Sequence, residues 1–259
     1  MKCKICKSKS HEFFSTKLLY KFDVKYYKCK SCGFVQTENP YWLNEAYTSA
    51  ITSQDIGLIG RNTGFAPIVS LIIKLFFSKK LNFLDYGGGY GMFVRLMRDR
   101  GFNFYRYDIY CENLFSVGFD DRPSLNYELI TAFEVFEHLV DPMTEIEKML
   151  KKSKNLFFST ELQPIDFSNE KDWWYVMPET GQHISLYTKE TLQFIAKKYN
   201  LNLYSNGSTY HLLTEKNINP LLFKLATNRF AILILNKLFR YPESLLMKDY
   251  YKIVNKEKV

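Results

Sequence analysis

An α/β fold, a mostly parallel sheet flanked by helices, is the class this sequence predicts. The first observation behind it is the run from residue 81 to residue 100, where a short apolar strand meets a glycine-rich turn and then a helix stopped by Gly101. The second is the recurrence of strand-like stretches at residues 103–108, 127–133 and 155–160. The third is a helix over residues 188–198, with Thr188 as N-cap, followed by stretches at 201–204 and 209–213 that read as a closing antiparallel pair. At 259 residues with 46% hydrophobic content, the chain can bury a full core: one catalytic domain and a small appendage.

The glycine-rich turn is the most informative element. Asp85 stands at the strand end, and Gly87, Gly89 and Gly91 follow in an Asp-x-Gly-x-Gly-x-Gly pattern, with Gly88 making four glycines in five positions. Glycine lets backbone approach a ligand closely, and its entropic cost argues against so dense a cluster in a purely structural turn. The stretch is a nucleotide-cofactor loop, open between a hydride carrier and a methyl donor. A dinucleotide fold prefers Gly-x-Gly-x-x-Gly. Counted from Gly87, that pattern needs glycine at position 92, where Met92 stands. Asp108, at the end of the next strand, suits a ribose, whose hydroxyl protons a carboxylate accepts.

The spacing from Asp85 to Gly91 resembles motif I of class I S-adenosylmethionine (SAM) dependent methyltransferases. The segment Glu134-Val135-Phe136-Glu137-His138, with Asp141-Pro142 behind it, is similar to the Leu-Glu-His turn and Asp-Pro of many members, at the end of the fourth strand. These matches fall in family order over residues 65–160. The resemblance implies a Rossmann-like seven-stranded sheet. In it Asp85, Gly87, Gly89 and Gly91 hold the methionine end of SAM, Asp108 holds the ribose, and Glu134 lies beside the transferable methyl. The adenine would meet Phe119 by stacking and Asp120 by its amino group, although residues 116–121 read equally well as an ordinary acidic turn.

The amino terminus carries an independent signal. Cys3, Cys6, Cys29 and Cys32 form two Cys-x-x-Cys knuckles separated by 22 residues. Paired thiolates at this spacing close a tetrahedral zinc shell with no open position, so the metal expected here is structural Zn2+; a redox dithiol is the competing reading. Aromatic and apolar residues between the knuckles, among them Phe13, Phe14, Leu18 and Tyr26, fit the strands of a zinc ribbon over residues 1–40. His11 is a surface residue or a spare ligand, and Cys111 stands apart as a packed thiol. A branch of bacterial methyltransferases acting on sugars, surface glycans and secondary metabolites carries a similar four-cysteine segment ahead of the catalytic domain, which the resemblance here assigns to residues 41–214.

The net charge of +8 is concentrated in the flanks. Residues 1–39 hold nine lysines against three acids, and residues 215–259 hold nine basic residues against four acids. The middle, with the motifs, is slightly acidic, which disfavours a nucleic-acid substrate. A Lys- and Cys-rich start does not read as a signal peptide, and no uninterrupted apolar run reaches about 18 residues. The expected location is cytoplasmic.

After the strand at 155–160 an insertion begins, and the lid is expected over residues 163–187. It concentrates Trp173, Trp174, Glu179, Gln182 and His183, a set able to stack on a sugar ring and bind its hydroxyls, or to anchor a lid by aromatic packing. Methyl transfer to an alcohol needs an in-line approach and removal of a proton. The candidate bases are His183 in the lid and His138 after the fourth strand, with the preference on His183; His211 reads as strand structure. The tail at 215–259 interleaves apolar and basic residues in a helical pattern that would pack on the catalytic domain or on a second subunit in a homodimer, with peripheral membrane contact as an alternative.

The sequence therefore predicts an O-directed SAM-dependent methyltransferase with a carbohydrate or nucleotide-sugar acceptor in capsule or surface-glycan biosynthesis. Methylation of a phosphoramidate ornament or of a sugar carbon stays open on the same scaffold. The reading of another class is an inactive methyltransferase fold serving as a zinc-ribbon binding protein.

Overall fold

A computed structural model describes residues 1–47, 55–239 and 241–255. Strands β1 (Ser10–Leu18), β2 (Phe22–Cys29) and β3 (Val35–Thr37) precede helices α1 (Leu43–Ala46) and α2 (Leu58–Phe76). Then come β4 (Asn82–Tyr86), α3 (Met92–Asp99), β5 (Asn103–Tyr107), β6 (Tyr127–Ala132), α4 (Pro142–Lys152) and β7 (Leu156–Ser159). The insertion contributes β8 (Ser185–Leu186), and α5 (Lys189–Lys198), β9 (Asn202–Ser205) and β10 (Tyr210–Thr214) complete the alternation. Helices α6 (Pro220–Ala226), α7 (Arg229–Leu238) and α8 (Leu246–Val254) close the described chain.

The main sheet runs β5-β4-β6-β7-β10-β9. Its first four strands are parallel, and β10 lies antiparallel between β7 and β9. A parallel sheet buried on both faces needs apolar residues without alternation, which explains Phe83-Leu84, Leu129-Ile130 and Phe157-Phe158. Leu84, Ile130 and Phe158 face a core shared with α4 and α5, whereas Phe83, Leu129 and Phe157 face α2 and α3. Thr188 caps α5, its hydroxyl accepting from the Thr191 amide.

The sheet has six strands among the described residues, not the expected seven. Beyond β5 the chain makes a single parallel bridge, Arg106 to Asp120. Gly118 turns the chain there at φ +88°, and Pro123 offers no amide hydrogen to lengthen the pairing.

Helix α2 is the one described helix long and apolar enough, by length and composition, to cross a membrane. Its residues Phe65, Ile68, Val69, Leu71, Ile72 and Ile73 are buried, and it packs against α3, α6 and α7. Pro67 lies inside it without ending it, and its carbonyl accepts from the Asn236 amide at 3.3 Å.

A second sheet, antiparallel in the order β1-β2-β3-β8, is built from both ends of the sequence. Strand β8 belongs to the insertion, yet it pairs with β3 next to the second cysteine knuckle. Leu18, Val24, Tyr26, Val35 and Trp42 share one core with Phe167, Trp173, Tyr175, Val176, Ile184 and Leu186. The hydroxyls of Thr188 and Thr191 donate to the Cys32 carbonyl at 2.9 and 2.7 Å, fastening the knuckle to α5. The cysteine segment and the insertion thus fold as one layer over the ends of β6 and α5.

The tail is helical as expected; its last residues, 256–259, and Arg240 lie outside the described residues. Helix α8 is latched by Asp249, which pairs with Arg98 of α3 at 2.6 Å and Arg95 at 3.0 Å. Leu221, Phe230, Leu233, Ile234 and Leu238 remain exposed on α6 and α7.

Candidate functional site

The glycine loop joins β4 to α3. Gly87, Gly89 and Gly91 take left-handed φ values of +73°, +51° and +86°, a region open to glycine and costly for other residues. A side chain at Gly87 would also meet Val135 at 2.6 Å, because the turn after β6 packs on the loop. At Gly89 an added Cβ would meet nothing within 4 Å, so this part of the loop borders open space where a ligand can approach the backbone.

Asp108 sits just past β5 and organises the loop. Its Oδ2 accepts from the Gly89 amide at 2.9 Å, and its Oδ1 accepts from the Tyr110 and Cys111 amides at 2.8 Å. Three of the four lone pairs of the carboxylate are thereby engaged, leaving one on Oδ2 for a ligand hydroxyl rather than the two expected from sequence. Asp85 is buried and accepts from the Thr131 hydroxyl at 2.7 Å. Burial pushes its carboxyl up to about 7, the Thr131 hydroxyl opposes this, and the Asp108 charge adds to it.

Phe119 does not face a ligand. It is 1% exposed, with the Arg98 guanidinium 3.6 Å from its ring centre, so its ring is core and offers no face for adenine. Asp120 instead accepts from Arg106 at 3.0 Å and from the Asn113 amide at 3.0 Å. Arg106, which the sequence reading passed over, also donates to the carbonyls of Gly89 and Cys111 and so braces the whole loop from beneath. Its signal in the sequence was a lone arginine inside an otherwise aromatic strand.

Glu134 follows β6 with φ +54°, a strained value for a residue with a side chain. Its carboxylate accepts from Ser159 at 2.8 Å and lies 3.5 Å from Arg61 of α2. Burial raises its pKa, and the Ser159 hydroxyl and Arg61 charge resist that shift. Arg61 also pairs with Asp55 at 2.6 Å.

The two candidate bases come together. The His138 and His183 rings lie 4.9 Å apart, and Glu137 joins them; one ligand atom from each residue lies within 4.8 Å of the other two. Nδ1 of His183 is 2.5 Å from the Tyr175 carbonyl, and Nδ1 of His138 is 3.1 Å from the Gln182 carbonyl. A carbonyl only accepts, so Nδ1 of His183 carries its hydrogen; Nδ1 of His138 does too when the Tyr47 hydroxyl oxygen, 3.0 Å away, shares that hydrogen as an acceptor, and both Nε2 lone pairs are then free. Burial depresses both rings, His138 to about 4 and His183 to about 3, the latter also through His138. Glu137 is fully buried with neither carboxylate oxygen hydrogen-bonded, and burial, then Glu134, raise its pKa well above the ordinary range.

This cluster is linked to the segment after Asp108, which holds the glycine loop, by Tyr47, another residue the sequence reading missed. Its hydroxyl is 3.0 Å from His138 Nδ1, and its ring stacks 6.2 Å from that of Tyr110, whose amide donates to Asp108 two residues earlier. Within the insertion, Trp173 is buried against Phe167 and Tyr175, while Trp174 is 71% exposed. Gln182 donates to the Ala46 carbonyl at 2.7 Å, so its amide anchors the insertion to α1. His211 is a buried strand residue between Ser205 and the Thr160 carbonyl.

All four knuckle cysteines are free thiols gathered in one cluster. Sγ of Cys3 is 3.7 Å from that of Cys32, and Sγ of Cys6 is 3.4 Å from that of Cys29. A tetrahedral zinc with bonds of about 2.3 Å needs sulfur separations of about 3.8 Å, so the set fits that ion with little adjustment. His11 is exposed on β1 and is not part of the cluster.

Comparison with known proteins places this geometry in a family. A family profile described as "Methyltransferase domain" matches residues 38–206. No curated protein sequence matches the chain. Among solved structures, TnmH is 13% identical with a TM-score of 0.47, over 68% of this chain and 61% of that one. An O-methyltransferase family protein from Burkholderia thailandensis is 10% identical with a TM-score of 0.46, over 70% and 69% of the two chains. Magnesium protoporphyrin IX methyltransferase from Synechocystis PCC 6803, with bound SAH, is 13% identical with a TM-score of 0.44, over 66% and 92%. The chain spans less than two thirds of the length of TnmH, at 61%, and of the mitomycin 7-O-methyltransferase MmcR, at 60%. The profile covers well over half of the sequence, and the chain belongs to the methyltransferase-domain family.

Proposed function

We propose that this enzyme moves the methyl group of SAM to an oxygen of a carbohydrate or nucleotide-sugar acceptor, in the building of a capsule or surface glycan. The observation that carries the reading is the Glu137, His138 and His183 cluster, which gathers proton-accepting groups beside the end of β6 and is tied through Tyr47 to the segment after Asp108 that holds the glycine loop. An alcohol is a poor nucleophile until its proton is accepted, and two neutral imidazoles with free Nε2 atoms suit that task. SAM supplies the electrophilic methyl. Asp85 and the turn Gly87, Gly89 and Gly91 would hold its methionine end, Asp108 its ribose through the remaining Oδ2 lone pair, and Glu134 would border the methyl.

The acceptor class rests on the insertion. Trp174 presents an exposed indole, and a concavity beside it is lined by Thr16, Glu170, Lys171 and Glu179. An aromatic face with polar groups around it suits a sugar ring. The four-thiolate cluster would carry a structural zinc that fixes residues 1–40 beneath the insertion, with catalytic residues in 41–214 and a helical extension in 215–259. The test is transfer of labelled methyl to a panel of nucleotide sugars. His138→Ala and His183→Ala should each lower turnover by tenfold or more while leaving SAM affinity within about twofold. Label appearing on a phosphoramidate nitrogen or on a sugar carbon would redirect the reading to those acceptors.

A further inference from the structure

Glu137, His138 and His183 present an unusual imbalance. Both Nδ1 atoms face backbone carbonyls, so each ring keeps its Nε2 lone pair, and that of His138 is turned toward Glu137. His138 Nε2 stands 3.9 Å from Glu137 Oε1, and both Glu137 oxygens are buried without a hydrogen-bond partner. The Tyr175 hydroxyl, also buried and unpartnered, borders Glu137. One phenol hydrogen and a single carboxyl proton cannot satisfy two imidazole nitrogens and the oxygens of a carboxyl group. Converging acceptors that lack donors are stable around a cation.

We infer that Glu137, His138 and His183 bind a divalent first-row transition ion, a second metal site distinct from the four-cysteine cluster. Two imidazoles and one carboxylate are the ligand set that zinc, iron(II), cobalt and manganese accept, whereas magnesium and calcium prefer all-oxygen shells. Bonds of about 2.0–2.2 Å need ligand separations of about 3–4 Å, within reach of small side-chain rotations from the present arrangement. The outer contacts are those of a metal site: each histidine is fixed by an Nδ1 hydrogen bond that orients the ring and raises its basicity. The surrounding charge is favourable as well. Arg61 is the cation acting on both rings, and it is compensated by Asp55 at 2.6 Å and Glu134 at 3.5 Å. Three protein ligands leave coordination positions open, where an acceptor hydroxyl could bind and lose its proton more readily, the ion then taking over the activation that the uncoordinated Nε2 atoms would otherwise provide. That last consequence rests on the proposed transfer to oxygen; the binding site does not.

The test adds Co2+ to the full chain with its cysteine cluster left as isolated. The expected result is one equivalent of bound cobalt with visible d–d bands and no thiolate-to-cobalt charge transfer, and loss of that equivalent in Glu137→Gln and in His183→Gln. Cobalt bound solely with thiolate charge transfer, or no cobalt bound, overturns the site. The wild-type stoichiometry and spectrum decide this even where a variant fails to fold. Methyl transfer is scored separately. Cobalt binding without transfer to any hydroxyl would remove the proposed function and keep the metal site. Transfer without the second equivalent would do the opposite.

Discussion

The Tyr26 hydroxyl donates to the carbonyl of His183 at 3.2 Å, joining strand β2 of the cysteine-bearing sheet to the segment that carries a candidate catalytic histidine. Trp42 adds a second tie, its indole donating to the Gly181 carbonyl at 2.8 Å. Both bonds are buried, so the position of His183 depends on a sheet whose far end is held by the four thiols. A zinc bound by those thiols would therefore act on His183 through strand β2.

If the four thiols hold the proposed zinc, preventing its binding should lower both stability and turnover. Cys32→Ser is expected to reduce the bound zinc, lower the melting temperature and slow methyl transfer, because the Cys32 carbonyl also receives the Thr188 and Thr191 hydroxyls. Tyr26→Phe isolates the coupling: it should cost about 0.5–1.5 kcal/mol in chemical denaturation and reduce kcat with SAM affinity unchanged. An unchanged kcat in Tyr26→Phe would show that the His183 segment holds itself in place.

Asp108 is expected to matter twice, as a ligand group and as the organiser of the loop. Asp108→Ala frees the Gly89, Tyr110 and Cys111 amides together, and charge-assisted hydrogen bonds contribute about 1.5–3 kcal/mol each. Titration calorimetry should show SAH affinity weakened by tenfold or more. Phe119→Leu, by contrast, should change stability through its packing under Arg98 and leave SAH affinity nearly intact, since the ring is enclosed in the core.

A pH dependence follows from Asp85. An unfolded aspartate titrates near 3.9, whereas burial lifts the folded carboxyl to about 7. Between those values the folded chain binds a proton that the unfolded chain has released. The stability tied to this group is present below about pH 4 and is lost as pH rises through 7. Cofactor-free Asp85→Asn should therefore gain on wild type between pH 5 and about 8, by roughly 2–4 °C in Tm for each kcal/mol relieved. A difference in Tm that stays constant over that range would contradict the assignment.

The ion pair of Arg98 and Asp249 should hold the tail on the catalytic domain. Both side chains are nearly inaccessible, 3% and 2% exposed, so Asp249→Ala strands a buried guanidinium at a cost of about 3–5 kcal/mol. Hydrogen exchange in α8 should then rise. Replacing both residues with apolar ones should recover much of the loss.

The strand, glycine-turn and helix order was legible because each element carries its own local chemistry: apolar runs, left-handed glycines and the Thr188 cap. The missing edge strand was less so, since only the turn at Gly118 and the absent amide hydrogen of Pro123 limit residues 116–121 to a single bridge on β5. Phe119 was misread for a related reason. A phenylalanine near a cofactor loop carries no mark in sequence that tells an exposed ring from one beneath Arg98. The convergence of His138 and His183 was likewise invisible, because 45 residues separate them and the pairing of β3 with β8 that brings them together joins two distant segments of two residues each. The cysteine knuckles were plain from spacing alone, yet their sheet was completed by the insertion, a link no local pattern encodes.

The most direct test of transfer to oxygen is to incubate the purified chain with methyl-labelled SAM and a panel of nucleotide sugars, following SAH and the labelled product together. The account predicts SAH and a methyl ether formed in equal amounts, with both lost in the double variant of His138→Ala and His183→Ala. Label recovered on carbon or nitrogen, or full turnover in that double variant, would contradict it.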